Sequence, residues 1–351
     1  MAFSERHAVT SADNPFTPFL EAQGVLILDG GLATALEARG KDLNDPLWSA
    51  KVLIEDPEAI RAVHEAYLRA GADCIATASY QATLPGFRER GMSHEGAVEL
   101  LRLSVRLAVE ARDAFWADPA NRVGRLKPLV AGSVGPYGAW LADGSEYRGE
   151  YGMWRDELAD FHRERWEILA GSEADILACE TIPSGPEVKA VLGLLQETPG
   201  AWAWISMSCR DRSHLSDGTP LVEVARACDA AAGVAAVGVN CVPPRWVPDL
   251  VAELRRGTRK PVLAYPNSGE VWDSATRTWT GVATGAAIDV AIDGAIEVAI
   301  DVDWGASAAE WHRLGAAGVG GCCRVGPEAI ARMRGHLLDG ARRGHGPREA
   351  P

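Results

Sequence analysis

Gly318-Val319-Gly320-Gly321-Cys322-Cys323 contains the last of eight short apolar runs, each bounded by Gly, Pro or a polar residue, and it completes a pattern. The runs are 25–28, 74–77, 129–131, 176–179, 202–206, 235–239, 262–265 and 318–322. Amphipathic helical spacing fills the gaps at 56–70, 95–116, 156–171, 186–196, 221–231 and 247–256. A helical stretch near 307–315 precedes the eighth run, and a last helix at 327–338 follows it. Strand alternating with helix, eight times over, predicts a parallel (β/α)8 barrel.

In such a barrel the chemistry sits at the C-terminal ends of the strands. Here those ends carry Asp29-Gly30-Gly31, then Thr77, Ser79 and Tyr80, then Ser133 in a Gly-rich turn, and Glu180-Thr181. Ser206 and Ser208, Asn240-Cys241, Tyr265-Pro266-Asn267 and Cys322-Cys323 complete the ring. Consecutive side chains of a regular strand point to opposite faces, so Cys322 and Cys323 can meet one ion only where the strand ends and bends. Gly320 and Gly321 permit that bend. Three thiolates converging from Cys241, Cys322 and Cys323 would make a zinc site whose fourth position stays open for a substrate, the catalytic arrangement.

Blander readings stand beside these. Cysteine is among the most buried residue types, so the three could be core filler, as Cys74, Cys179, Cys209 and Cys228 are read to be. A Cys322–Cys323 bridge is a further alternative, although adjacent cysteines close one only with strain. Asp29 could cap the helix that follows it. Glu180, at a buried strand end, requires a partner. The Gly-rich turns lack the spacing of a dinucleotide or P-loop motif. His64, His162, His214 and His312 fall on helices or loops and read as surface or capping residues.

A net charge of −13, spread along the chain, argues against a nucleic-acid partner. The sequence contains no apolar stretch long enough for a transmembrane helix, and the polar start 1–18 lacks the apolar core of a signal peptide. Seven cysteines without a framework spacing fit a reducing cytoplasm. The expected organisation is one barrel domain over 1–340 and a disordered tail at 341–351. A repetitive stretch at 283–302 reads as a surface insertion of open structure. Nothing marks an interface, so the oligomeric state is open.

Several stretches together resemble the homocysteine S-methyltransferase family. They include Asp29-Gly-Gly-Leu-Ala-Thr34, Asn44-Asp-Pro-Leu-Trp-Ser-Ala50, Thr77-Ala-Ser-Tyr-Gln-Ala-Thr83 and Ala131-Gly-Ser-Val-Gly-Pro-Tyr-Gly138. Asp143-Gly-Ser-Glu-Tyr-Arg-Gly149, Ser216-Asp-Gly-Thr-Pro220, Tyr265-Pro-Asn-Ser-Gly-Glu270 and the cysteine motifs extend the likeness from about 25 to about 335. Within the family the chain resembles the bacterial and plant enzymes that use S-methylmethionine. The resemblance implies a (β/α)8 barrel and one Zn2+ on Cys241, Cys322 and Cys323. It implies that Asp29 and Glu180 hold the amino group of homocysteine, and that Thr77 and Ser79 lie near its carboxylate. Trp48 and Tyr80 would face the methyl donor. The implied reaction moves a methyl group from S-methylmethionine, or S-adenosylmethionine, to the homocysteine thiolate, forming methionine. Betaine or selenium analogues are alternatives. Aromatic faces such as Trp48, Tyr80 or Tyr137 would attract a sulfonium. Two other classes remain for comparison. A metal-dependent hydrolase would need histidine or carboxylate ligands, and a non-catalytic zinc protein would need a fourth protein ligand.

Overall fold

The computed structural model describes residues 13–43, 49–273, 278–280, 289–292, 295–298 and 302–339. Eight parallel strands form one sheet: β1 (Leu26–Ile27), β2 (Cys74–Ala76), β3 (Leu129–Val134), β4 (Ile176–Ile182), β5 (Ala203–Met207), β6 (Val234–Asn240), β7 (Val262–Tyr265) and β8 (Ala316–Val319). Neighbours follow chain order from β2 to β8, and β8 then pairs with β1. A parallel bridge from Leu28 to Cys74 joins β1 to β2 and closes the ring. The expected (β/α)8 barrel is therefore the fold, with all eight strands where the apolar runs lie.

The strands are almost wholly buried, as those of a parallel sheet covered by helices must be. The main core lies between sheet and helices, where Val130, Val191, Val237 and Ile330 pack. A second cluster fills the barrel's interior from Leu26, Ala131, Ile176, Ala178, Trp204 and Leu263. Helices start and stop on local signals. Asp56, Ser93 and Ser184 accept backbone N–H groups at three N-termini, and Gly71, with φ 108°, ends the helix Pro57–Ala70.

The bottom of the barrel carries an element that the polar start of the chain did not suggest. The helix Thr17–Gln23 lies across it and sends Phe16 and Phe19 into the interior cluster. The Phe16 ring meets Trp204 at 5.8 Å, and Asn14 Nδ2 donates to the carbonyl of Ala235 at 2.9 Å. Beside this plug, buried Asp73 accepts from Gln23 Nε2, the Ile27 N–H and Arg334 Nη1.

At the top, the loops after β1 and β8 interlock. Gly31 N–H donates to Val325 O, Gly321 N–H donates to Asp29 O, and the Tyr67 hydroxyl bonds to both Gly31 O and Val325 O. A Cβ on Gly30 would stand 2.3 Å from Val325 O, and one on Gly321 would stand 2.1 Å from Val325 Cγ1. These glycines serve close approach. The left-handed backbone falls instead on Cys241, φ 50°, and Arg324, φ 64°.

After β7 the chain makes two antiparallel pairs, Val271–Asp273 with Thr278–Thr280 and Asp289–Ile292 with Ala295–Val298. The second pair falls within the expected insertion, the rest of which lies outside the described residues except Val302. The tail 341–351 also lies outside them.

Candidate active site

A cavity of about 310 Å³ opens at the C-terminal face and is lined by residues from the ends of most strands. Its sulfur centre is built from two of them. Cys241 follows β6 and Cys322-Cys323 follow β8, so three sulfurs lie within 4.8 Å of one another. Cys241 and Cys322 are joined as a disulfide with Cα atoms 5.5 Å apart, and Cys323 Sγ lies 3.6 Å from Cys241 Sγ and 4.0 Å from Cys322 Sγ. The bridge joins the ends of two strands and is not the strained Cys322–Cys323 bridge weighed as an alternative from the sequence. Burial pushes the Cys323 thiol up to about 12, with the negative charge of Glu146 adding to it.

The donor set fits a thiolate-bound metal. Tetrahedral zinc with bonds of about 2.3 Å places its sulfurs about 3.8 Å apart. Both pairs involving Cys323 are already near that spacing, and reduction of the bridge frees the third. Among the described residues no fourth His, Cys, Asp or Glu joins the group, which leaves one position open.

Asn240 buttresses the centre. It is fully buried at the end of β6; its Oδ1 accepts from Thr181 N–H at 2.8 Å and its Nδ2 donates to Thr181 Oγ1 at 2.7 Å. The same Nδ2 lies 3.8 Å from Cys322 Sγ. Thr181 has φ 60°, a rare conformation for a β-branched residue, so Asn240 holds strained backbone directly beside Glu180.

Two carboxylates share the cavity with the sulfurs. Asp29 Oδ2 accepts from Ala76 N–H at 2.8 Å. It caps no helix: the N-cap of Leu32–Glu37 is Gly31, which rules out the capping alternative. Burial raises the Asp29 carboxyl well above its ordinary range, and nearby Glu180 adds to the rise. Glu180 Oε1 accepts from the Ser133 hydroxyl at 2.5 Å, and the Tyr265 hydroxyl also reaches it. Tyr265 in turn accepts from Trp204 Nε1 at 2.9 Å. Burial lifts Glu180 to about 7 against those two hydrogen bonds.

Thr77 lines the cavity, but Ser79 does not. The two hydroxyls meet at 2.6 Å, Ser79 Oγ donates to Ser133 O, and Thr77 Oγ1 accepts from Ser133 N–H. Tyr80 stands on the wall with its hydroxyl bonded to Thr181, while Tyr137 packs outside among Trp140, Tyr151 and Phe161. Trp48 lies outside the described residues. Sequence reading missed Asn240's clamp, Trp204, Tyr147 and Glu146. Glu146 and Tyr147 belong to the quoted stretch Asp143–Gly149, and their place in a motif was the available signal.

Two of the four histidines read as surface or capping residues depart from that expectation, while His214 and His312 keep to it. His64 and His162 are fully buried. His162 Nε2 lies 2.8 Å from Glu187 Oε1, and Arg165 Nη2 lies 2.8 Å from His162 Nδ1. Arginine only donates, so Nδ1 accepts and Nε2–H donates to Glu187: the ring is neutral. Burial lowers the His162 pKa in agreement. Cys209 is only partly buried, unlike Cys74, Cys179 and Cys228.

Fold and site together define a barrel enzyme whose centre can hold a metal through cysteine sulfur. The chain belongs to the homocysteine S-methyltransferase family, whose model matches residues 26–337. It is 49% identical over 320 residues to the homocysteine S-methyltransferase YbgG of Bacillus subtilis, covering 91% of this chain and 96% of that one. It is similar to the crystal structure of the homocysteine methyltransferase MmuM from Escherichia coli in a metallated form. The TM-score is 0.78 at 43% identity, over 92% of this chain and 99% of the other. An oxidised form of the same Escherichia coli protein matches with the same score, identity and coverage. No helix among the described residues is long and apolar enough to cross a membrane.

Proposed function

We infer that this enzyme transfers a methyl group from a sulfonium donor, S-methylmethionine foremost, to L-homocysteine, forming methionine. The observation that carries the reading is one cavity holding a three-sulfur centre with an open position beside two carboxylates, Asp29 and Glu180. Reduced Cys241, Cys322 and Cys323 would hold Zn2+, which supplies a positive charge that keeps a bound thiol ionised at neutral pH.

The chain's own residues orient the acceptor. Asp29 and Glu180 receive its ammonium group, and that positive charge favours ionisation of both carboxylates despite their burial. Thr77 stands where the acceptor's carboxylate would lie. The acceptor thiol gives its proton to solvent. Its sulfur then donates an electron pair to the methyl carbon, while the old carbon–sulfur bond breaks and its pair remains on the donor sulfur. The donor leaves as a neutral thioether, so charge collapses, and a cavity that excludes water favours the step. Holding the two sulfurs in line supplies much of the remaining acceleration. Among the described residues no histidine lines the cavity, and the proposed reaction needs no general base once the thiol is ionised.

The test is methionine formation by reduced, zinc-loaded protein given homocysteine with S-methylmethionine, S-adenosylmethionine or betaine in parallel. Turnover with S-methylmethionine that is lost on chelation and restored by zinc is expected. Absence of turnover with all three donors in protein carrying one zinc per chain would overturn the reading.

A further inference from the structure

Carboxylates crowd the cavity beside the acceptor's place. Asp29, Glu37, Glu146 and Glu180 line it, and Lys41 is the one basic residue among the described residues of its wall. Lys41 is already paired to Asp56 at 2.5 Å, and Glu37 faces Arg324 at 3.7 Å. Homocysteine brings a single ammonium, which Asp29 and Glu180 would share. Glu146 remains. Its Oε2 is buried and has no hydrogen-bond partner among the described residues, and the positive charge of Arg148 nearby is opposed by the negative charge of Asp143. Burial raises its carboxyl to about 7. A buried carboxylate oxygen without a partner is costly and points to a missing cation.

The site around Glu146 is built. It sits in the 3-10 turn Ser145–Tyr147, whose backbone is fixed from β5 by Ser208 Oγ donating to Glu146 O at 2.9 Å. Gly138 underlies the turn so closely that a Cβ there would lie 2.4 Å from Glu146 N. Tyr80 and Tyr147 line the same wall, and the Tyr147 hydroxyl reaches the Cys323 sulfur. A carboxylate and two aromatic rings beside the sulfur centre are the surroundings that a desolvated cation requires.

We propose that Glu146, flanked by Tyr80 and Tyr147, is the counter-charge for the methyl donor's sulfonium and selects a positively charged sulfur over a neutral one. The proposal rests on the functional reading above, in which a sulfonium donor enters this cavity. A sulfonium loses its charge as the methyl departs, so Glu146 stabilises the bound donor more than the transition state. It therefore acts in donor capture and product release, and the neutral thioether loses its hold once formed.

The experiment compares wild type with Glu146→Gln and Glu146→Asp, all zinc-loaded, by calorimetric titration. The probes are S-methylmethionine, methionine and homocysteine. S-Methylmethionine and methionine carry the same ammonium and carboxylate and differ at sulfur alone. The preference for S-methylmethionine over methionine should fall at least about tenfold in Glu146→Gln and survive in Glu146→Asp. Homocysteine affinity should stay unchanged in both. In turnover, the donor KM of Glu146→Gln should rise with kcat held or increased. An unchanged preference, an equal loss for both thioether-derived probes, or a matching loss of homocysteine affinity would each overturn the proposal. Failure of wild type to form methionine would instead refute the functional reading, and the affinity ratio would still decide the role of Glu146.

Discussion

Glu180 shows how one residue at a strand end couples stability to pH and, in the proposed function, to substrate. Its carboxyl is lifted to about 7 from an ordinary 4.5, because burial outweighs the hydrogen bonds from Ser133 and Tyr265. The folded state therefore holds this proton more tightly than the unfolded chain does. Stability from that proton is present below the unfolded value and is lost as pH rises through the folded one. Glu180→Gln should accordingly leave the melting temperature of ligand-free protein unchanged at about pH 3.5, below both values, where Glu180 is neutral in the folded and the unfolded chain, and raise it near pH 8. The same substitution should weaken homocysteine binding at least about tenfold at the higher pH, because the ammonium loses a charged partner. Melting curves at the two pH values and calorimetry with homocysteine check both halves. A melting temperature lowered at pH 8 would show that Glu180 is compensated by a charge within the protein. Asp29 and the cysteines were legible because their residue types are conspicuous after an apolar run. Ser133 and Asn240 act through cross-strand partners, Glu180 and Thr181, and register of that kind leaves no local trace.

Between elements, the outer helices hold the cavity's far wall. Arg165 on the helix Arg155–Ala170 donates to Gly135 O at 2.6 Å and to Tyr80 O at 3.3 Å. Glu187 on the helix Gly185–Gln196 accepts from Tyr137 N–H at 2.6 Å as well as from His162. Both long helices thus grip the loops after β2 and β3 through buried charge. Arg165→Met should destabilise the protein by about 3–5 kcal/mol, since Gly135 O, Tyr80 O and His162 Nδ1 would lose their buried donor and Glu187 a nearby positive charge. It should also weaken donor binding more than homocysteine binding, because it frees the Tyr80 loop and leaves Asp29 and Glu180 in place. Urea unfolding and separate KM values would test this, and equal losses for both substrates would refute the loop assignment. The long helices were readable from periodicity because several turns repeat the pattern. The helices Leu32–Glu37, Leu84–Glu89 and Tyr137–Leu141 span fewer than two turns, too short for a period to emerge, and depend on tertiary contacts. β4 runs on to Ile182, beyond the apolar stretch at 176–179, because the strand continues through Glu180 and Thr181.

At the scale of the molecule, the barrel is a column of contacts from plug to cavity. Phe16 supports Trp204, Trp204 donates to Tyr265, and Tyr265 reaches Glu180. Phe16→Ala should cost about 3–5 kcal/mol, the usual loss for emptying a fully buried phenylalanine site, and the cavity left below Trp204 should weaken homocysteine binding. Urea unfolding with homocysteine calorimetry would check it, and full stability would show that the plug packs loosely. The (β/α)8 architecture was legible because eight buried strands and intervening helices dominate the chain's hydrophobic pattern. The plug was not, since one short helix in a polar segment gives no signal until the barrel floor exists to receive it.

The interlocked loops after β1 and β8 also have a consequence for biosynthesis. Asp29 emerges from the ribosome among the first residues of the barrel, and Cys322 and Cys323 among the last. A nascent chain carries Asp29, Glu180 and Cys241 through most of translation without the strand that closes the ring or the cysteine pair that completes the centre. Gly31, Gly321 and Val325 can join only when synthesis has passed them. A polypeptide stalled before that point lacks two of the three sulfurs of the centre. Competence arrives all at once, with the final strand.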